Sequence, residues 1–249
     1  MTEHEALQCV DTGADFYLRA MGDAEHMEII DNGVYEIMRS RSAVNDLASV
    51  YNMRLEALPD AALADTIAEI RALGIHTWWP LSASDRVAQA IHGRRPRYAA
   101  DDIEIYGIMQ PSELPAFPEA PPFLRIVRVE TAGDFATWCE LDNTTEHGGS
   151  VIFYPPNHMH LIAHEKLIAF VGYCGSEPIA TSAVLDDGGI ASLEFVCTAP
   201  SHRMRGIATA MCRHALTHAF AAGAKVVTTR GIADGRALVK SLGFRVITR

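Results

Sequence analysis

The chain has 249 residues, 49% of them apolar and 21% charged, with 21 basic and 31 acidic residues and a net charge of −10. That composition suits one or two globular domains whose core needs no disulfide or metal staple, and it excludes disorder, collagen and a coiled coil. No apolar run reaches the ~20 residues that span a bilayer, and so acidic a chain is a poor general nucleic-acid binder, because phosphate contacts need clustered Lys and Arg.

Residues 1–120 hold 9 basic and 20 acidic residues, a net of −11, whereas residues 121–249 hold 12 and 11, a net of +1. Two halves of different electrostatic character suggest two modules. The five cysteines, Cys9, Cys139, Cys174, Cys197 and Cys212, form no CxxC pair. They read as reduced, mostly buried thiols. The acidic start, MTEHEALQCVDTGADF, lacks the basic and apolar regions of a secretory signal, so a cytoplasmic protein is expected.

In chain order, residues 3–21 read as a helix. Met27–Ile30 and Val34–Arg39 alternate as strands around Asp31-Asn32-Gly33, a hairpin turn signal. Ser49–Leu55 is a candidate strand. Pro59 opens a helix with apolar Leu63, Ile67, Ile70 and Leu73, ending at Gly74. Ile75–Trp79 is a short strand, Ser82 or Ser84 caps a helix to His92, and Ile103–Met109 is a strand. Gln110–Pro122 has five prolines in thirteen residues, a density that blocks helix and central strand alike and predicts an extended linker. Beyond it, Leu124–Val129 is a strand and Gly133–Leu141 a helix. Leu167–Tyr173 and Ile179–Leu185 are strands, and Ser192–Cys197 another. A long helix spans about Met204–Ala222. Val226–Thr229 is a strand, Gly235–Ser241 a helix and Phe244–Ile247 a final strand. The expected organisation is therefore an α/β chain with an accessory domain at 1–110, a Pro-rich linker at 111–122 and a second domain at 123–249.

The segment from Phe195 to Met211 carries the chemistry. An apolar strand runs into a turn of small residues that opens a long helix. Free backbone N–H groups and the helix dipole at such a start make an anion site. Gly206 and Ala208 keep side chains away from the backbone, Arg203 and Arg205 add positive charge, and Thr209 offers a hydroxyl. The turn predicts a pyrophosphate cradle. It is neither a Walker loop nor a GxGxxG dinucleotide motif.

Here the sequence resembles the GNAT superfamily of acyl-CoA-dependent N-acyltransferases. The family motif is Arg or Gln, two residues, Gly, one residue, then Gly or Ala; Arg203, Gly206 and Ala208 match it. The family's Leu-Gly-Phe after the last helix is matched by Leu242, Gly243 and Phe244. The resemblance covers roughly residues 123–249. It implies a mixed sheet of six or seven strands with helices on both faces and two central strands splayed apart to admit pantetheine. It further implies that the backbone of Val196, Cys197 and Thr198 pairs with pantetheine and holds the acyl carbonyl. The turn of Arg203, Met204, Arg205, Gly206, Ile207, Ala208 and Thr209 would hold the pyrophosphate of acetyl-CoA. The first half resembles the same fold more faintly. Met53-Arg54-Leu55, a helix and Trp78-Trp79-Pro80 look like the degenerate N-terminal half of tandem GNAT proteins; an unrelated α/β domain is the alternative.

The sequence departs from the family at three places. The tyrosine that often protonates the departing thiolate corresponds to Val239, and a frequent asparagine to Ile232. Tyr173 and Tyr154 are candidate substitutes. The seventh strand that pairs with the sixth in many relatives has no counterpart after Phe244; its place would be left open or filled by the first half or by a second subunit, as in a homodimer. Glu194, on the strand entering the turn, is the candidate base that orders water toward the amine, or else a strand carboxylate facing solvent or paired with an arginine.

His158, His160 and His164 could line one side of a strand, but no Cys or carboxylate completes a zinc pattern, so no metal is expected. The polar run Asp142–His147 would line the acceptor site or form a helix end and loop. Cys197 and Trp78-Trp79 read as packing. The function expected is an acetyl-CoA-dependent N-acetyltransferase moving acetyl to a small primary amine by direct attack in a ternary complex. The alternative is an acyl-CoA-binding regulatory protein with little transferase activity.

Overall fold

A computed structural model describes residues 1–23, 27–41, 48–92, 105–146, 155–231 and 234–247. The chain divides into two compact units, Met1–Ile103 with the terminal Arg249, and Glu104–Thr248.

In the first unit, α1 (Glu3–Gly22) starts with a capping box in which Thr2 and Glu5 exchange hydrogen bonds at 3.2 and 2.7 Å. This satisfies two donors of the helix start. The hairpin of β1 (Met27–Asp31) and β2 (Glu36–Ser40) turns where Asp31 and Asn32 side chains accept the following backbone amides at 2.8–2.9 Å. β3 (Ala48–Tyr51) pairs antiparallel with β2, and the short β4 (His76–Thr77) pairs parallel with β3. The strand expected to reach Leu55 stops at Tyr51. Asn52 takes a left-handed φ of 48° and Leu55–Ala57 form a 3-10 turn. α2 (Asp60–Ala72) buries Leu63, Ile67 and Ile70, while Leu73 is exposed. Ser84 precedes α3 (Asp85–His92), its carbonyl accepting from Ala88 at 2.8 Å. Asp11 of α1, itself buried, accepts from Trp78 Nε1 and from the backbone of Leu81 and Ser82 at 3.3, 2.9 and 2.8 Å. Trp78 is thus part of the packing of this unit.

The second unit is a seven-stranded sheet in the order β11-β5-β10-β9-β8-β7-β6. β6 (Leu124–Arg128), β7 (Leu167–Cys174), β8 (Glu177–Asp186) and β9 (Ile190–Thr198) form an antiparallel meander. β10 (Val226–Gly231) lies parallel to β9. A parallel pair needs a crossover, and α6 (Ile207–Ala221) supplies it. α4 (Ala132–Thr145), α5 (Pro155–Ala163) and α7 (Asp234–Ser241) complete the helices. One apolar cluster joins the sheet to α6 and α7, including Phe170, Val184, Leu193, Met211, Leu216, Val227 and Leu242.

The strand at the end of the first half belongs to this second sheet. β5 (Ile105–Met109) inserts between β10 and β11 (Arg245–Ile247), antiparallel to both. It stands where the missing seventh strand was expected, and it precedes the proline-rich segment. Gly107 allows the insertion: a Cβ there would lie 2.9 Å from Phe244 Cβ, Thr229 Cγ2 and Val239 Cγ1. The proline-rich segment opens on a 3-10 turn at Pro111–Glu113, then runs extended and held down. Leu114 and Phe117 pack on the second core, Pro115 covers Gly243, and the Pro118 carbonyl accepts from Arg213 at 2.6 Å.

Candidate active site

The parallel pairing of β9 with β10 runs from Ile190↔Val226 to Leu193↔Thr229 and ends there. Thr229 Oγ1 donates to the Leu193 carbonyl at 3.0 Å, closing the last joined position. From Glu194 onward β9 continues to Thr198 without β10 beside it. Its backbone therefore has hydrogen-bonding groups on that side with no neighbouring strand. Glu194 sits at the fork. Its Oε1 accepts from Ser192 Oγ at 2.6 Å, and its Oε2 lies 3.6 Å from Arg230 Nε. Its side chain is 12% exposed, so the carboxylate is sheltered yet reachable. Glu194 therefore lies beside an arginine at the point where the two strands part.

One residue on, β9 bulges. Phe195 adopts φ +54° and the register against β8 shifts between Thr181 and Ala183. A left-handed conformation in a bulky residue costs about 1–3 kcal/mol and persists only where the surroundings over-determine it. Two neighbours do so. Thr181 Oγ1 donates to the Phe195 carbonyl at 2.8 Å, and the Phe195 ring packs edge-on against Trp138 of α4 at 5.3 Å between centroids. Sequence gives no sign of the bulge, because the left-handed position is a phenylalanine rather than a glycine.

The turn after β9 passes through two left-handed positions before α6 starts. A 3-10 turn at Pro200–His202 leads to Met204 at φ +59° and Gly206 at φ +77°, and α6 starts at Ile207. The first helical hydrogen bond runs from Ala210 N–H to the Gly206 carbonyl at 3.1 Å. The amides of Ile207, Ala208 and Thr209 precede it and have no helical acceptor. A Cβ on Gly206 would meet only Pro121 Cγ, at 4.0 Å, so the concave side of the turn is open. The two arginines also make contacts around the turn. Arg203 Nε donates to the Thr198 carbonyl at 3.0 Å and its Nη2 lies 3.7 Å from Glu146 Oε1. Arg205 stacks on Phe123 at 4.5 Å. Both brace the turn and leave positive charge beside it. Met204 is fully exposed.

The remaining sequence candidates fall as follows. Cys197 is 2% exposed, hydrogen-bonded to Thr181 at 3.0 Å, and burial pushes its thiol up to about 11; it is a packed thiol, as expected, and no nucleophile. Val239 is buried over Gly107 in the core, so no proton donor stands at that position. Ile232 and Tyr154 lie outside the described residues. Tyr173 stacks with Arg125 at 4.6 Å on β7, two strands away from β9. The histidine segment is the helix α5, not a strand, and on a helix His158 and His160 cannot share a face. Among the described residues no group of His, Cys, Asp and Glu could hold a metal.

Asp142, Asn143, Thr144 and Thr145 form the end of α4, with Asp142 and Asn143 buried and Glu146 at its C-cap; His147 lies outside the described residues. Burial, with Glu146 nearby, pushes the Asp142 carboxyl up to about 7. The first unit has a cleft of its own of about 400 Å³, lined by Gln8, Asp11, Asp15, Asn52 and Trp78 among others.

A fork between parallel strands and an open helix start meet at the end of β9, the arrangement that the resemblance to acyl-CoA-dependent transferases implies. The sequence agrees: residues 118–244 match the model of the acetyltransferase (GNAT) family, and the chain belongs to that family. Solved structures share the fold over nearly the whole chain. A GCN5-related N-acetyltransferase from Kribbella flavida aligns with 96% of this chain and 91% of its own at 16% identity, with a TM-score of 0.64. A tandem GNAT protein from the clavulanic acid biosynthesis pathway aligns with 94% of this chain and 92% of its own at 11% identity, with a TM-score of 0.58. The mixed α/β GNAT fold is therefore established, and the likeness to a tandem protein extends over both halves. No curated protein matches the chain. Among the described residues no helix is long and apolar enough to cross a membrane.

Proposed function

We propose that this member of the acetyltransferase family transfers an acetyl group from acetyl-CoA to a primary amine of a small acceptor, by direct attack in a ternary complex. The observation that carries the reading is the open turn at Arg203–Thr209, with left-handed Met204 and Gly206 and the unpaired amides of Ile207, Ala208 and Thr209. Backbone N–H groups converging at a helix N-terminus suit a pyrophosphate. When bound, acetyl-CoA supplies the activated thioester. The fork side of Val196, Cys197 and Thr198 suits the amides of a pantetheine arm, because β10 does not pair along it, although Arg203 occupies the Thr198 carbonyl.

Glu194 is the proton acceptor in this reading. Its position at the fork lets it take a proton from an incoming ammonium through water, and Arg230 and Ser192 hold its carboxylate in place. The first half, with its net charge of −11 over residues 1–120, would steer a cationic acceptor by long-range attraction. We assign the two halves as an accessory and a catalytic domain acting in the cytoplasm.

A second reading follows from Val239, which puts a buried hydrocarbon where many relatives have a tyrosine. In it the chain binds acyl-CoA and regulates something else. Thiol release from acetyl-CoA with a panel of primary amines, with product masses recorded, separates the two. An increase of 42 Da on one amine supports the enzyme. Tight acetyl-CoA binding with no acetylated product across polyamines, aminoglycosides and amino acids supports the regulator.

A further inference from the structure

Thr181 lies on β8 with no exposed surface, and its hydroxyl serves two groups across the strand boundary. It donates to the Phe195 carbonyl at 2.8 Å and lies 3.0 Å from Cys197 Sγ. Thr181 pairs in register with Cys197, so both side chains stand on one face of the sheet. In a regular antiparallel ladder a strand carbonyl is met by a backbone amide. Here a side-chain hydroxyl meets it at the one left-handed residue of β9. Valine at this position would keep the branched shape and remove this donor.

We propose that Thr181 is a positioning residue: its hydroxyl fixes the peptide between Phe195 and Val196 with the carbonyl turned toward β8 and the Val196 N–H turned toward the fork. The planar trans peptide couples the two ends, since its C=O and N–H point in opposite directions. Thr181 thereby aims an amide donor at the place where the thioester carbonyl of acetyl-CoA would sit, without touching it. A fixed donor of this kind stabilises the negative charge that gathers on that oxygen during acyl transfer. The Trp138 ring packs edge-on against Phe195 and helps hold the same peptide in place. The inference rests on the acyl-CoA reading of the site.

The test uses 15N-labelled full-length protein titrated with CoA and with acetyl-CoA. In the wild type the Val196 amide resonance moves further downfield with acetyl-CoA than with CoA, because only the former brings a carbonyl. The infrared stretch of bound [1-13C]acetyl-CoA moves to lower frequency in parallel. Thr181→Val loses both acetyl-specific shifts while CoA affinity stays within about threefold, and Thr181→Ser regains them. Retention of both shifts in Thr181→Val overturns the proposal, as does a wild type that binds acetyl-CoA with no acetyl-specific shift at Val196. Should Thr181→Val not fold, Thr181→Ala and Thr181→Ser decide. Loss of the acetyl-specific Val196 shift in Thr181→Ala with its return in Thr181→Ser supports the clamp; retention of the shift in Thr181→Ala overturns it. A folded wild type that binds neither CoA nor acetyl-CoA removes the acyl-CoA reading itself, and the inference with it.

Discussion

The Arg203 guanidinium donates to the carbonyl of Thr198 at 3.0 Å, tying the far end of the turn back to the last residue of β9. The same side chain reaches Glu146 at the end of α4. The arginine of the family motif thus acts here as a brace that holds the helix start against the strand. Arg203→Ala should weaken acetyl-CoA binding about tenfold, the scale of one lost hydrogen bond to a charged group. Because the side chain is half exposed, the melting temperature should move by no more than a few degrees. Calorimetric titration with a parallel melting curve checks both.

Glu194→Gln keeps the shape of the fork and removes the proton acceptor. With an acceptor amine in hand, acetyl transfer should fall about 10²–10⁴-fold, the usual contribution of a positioned base. The acetyl-CoA dissociation constant should stay within about threefold. A variant that turns over at the wild-type rate would leave Glu194 as a structural partner of Arg230.

The insertion of β5 between β10 and β11 makes Gly107 a sensitive position. An added Cβ would press on Phe244, Thr229 and Val239 at 2.9 Å each. Gly107→Ala should cost about 1–3 kcal/mol, the range for overpacking a core. Gly189→Ala is the control, since a Cβ there meets nothing within 4 Å. Equal melting temperatures for the two variants would contradict the inserted strand.

Asp142 should make stability depend on pH. Its folded carboxyl titrates at about 7, above its ordinary value of 3.8, because burial disfavours the charged form and Glu146 adds repulsion. The folded chain therefore holds that proton more tightly than the unfolded chain, and stability falls as pH rises from about 4 to 7, then levels. Asp142→Asn should flatten this slope and lose less melting temperature between pH 5 and pH 8 than the wild type. Identical slopes would contradict the assignment.

The elements with strong local signals were readable from sequence. Asp31-Asn32-Gly33 turned the first hairpin, Leu63, Ile67 and Ile70 marked the buried face of α2, and Gly206 and Ala208 marked the opening of α6. What could not be read was non-local. Ile105–Met109 looks like any strand, and only its partners assign it to the second sheet. The histidines of α5 follow no helical spacing, so nothing local separates their segment from a strand, and nothing local marks Asp142 at the end of α4 as buried, because charged side chains rarely lie in a core. The bulge at Phe195 depends on Thr181, fourteen residues earlier, and on Trp138 of another element. No local pattern records that pairing.

The acyl-CoA site is the central claim, and Ala208 tests it most directly. Ala208 is partly exposed in the first turn of α6. Ala208→Glu keeps helical backbone geometry and sets a carboxylate where the pyrophosphate should lie. Calorimetric titration of CoA and acetyl-CoA should give micromolar binding by the wild type and binding at least about a hundredfold weaker, or none, in a variant with an unchanged melting curve; like-charge contact at a desolvated anion site costs several kcal/mol. Equal affinity in the two proteins, or no binding by a folded wild type, would mean that the turn only starts a helix.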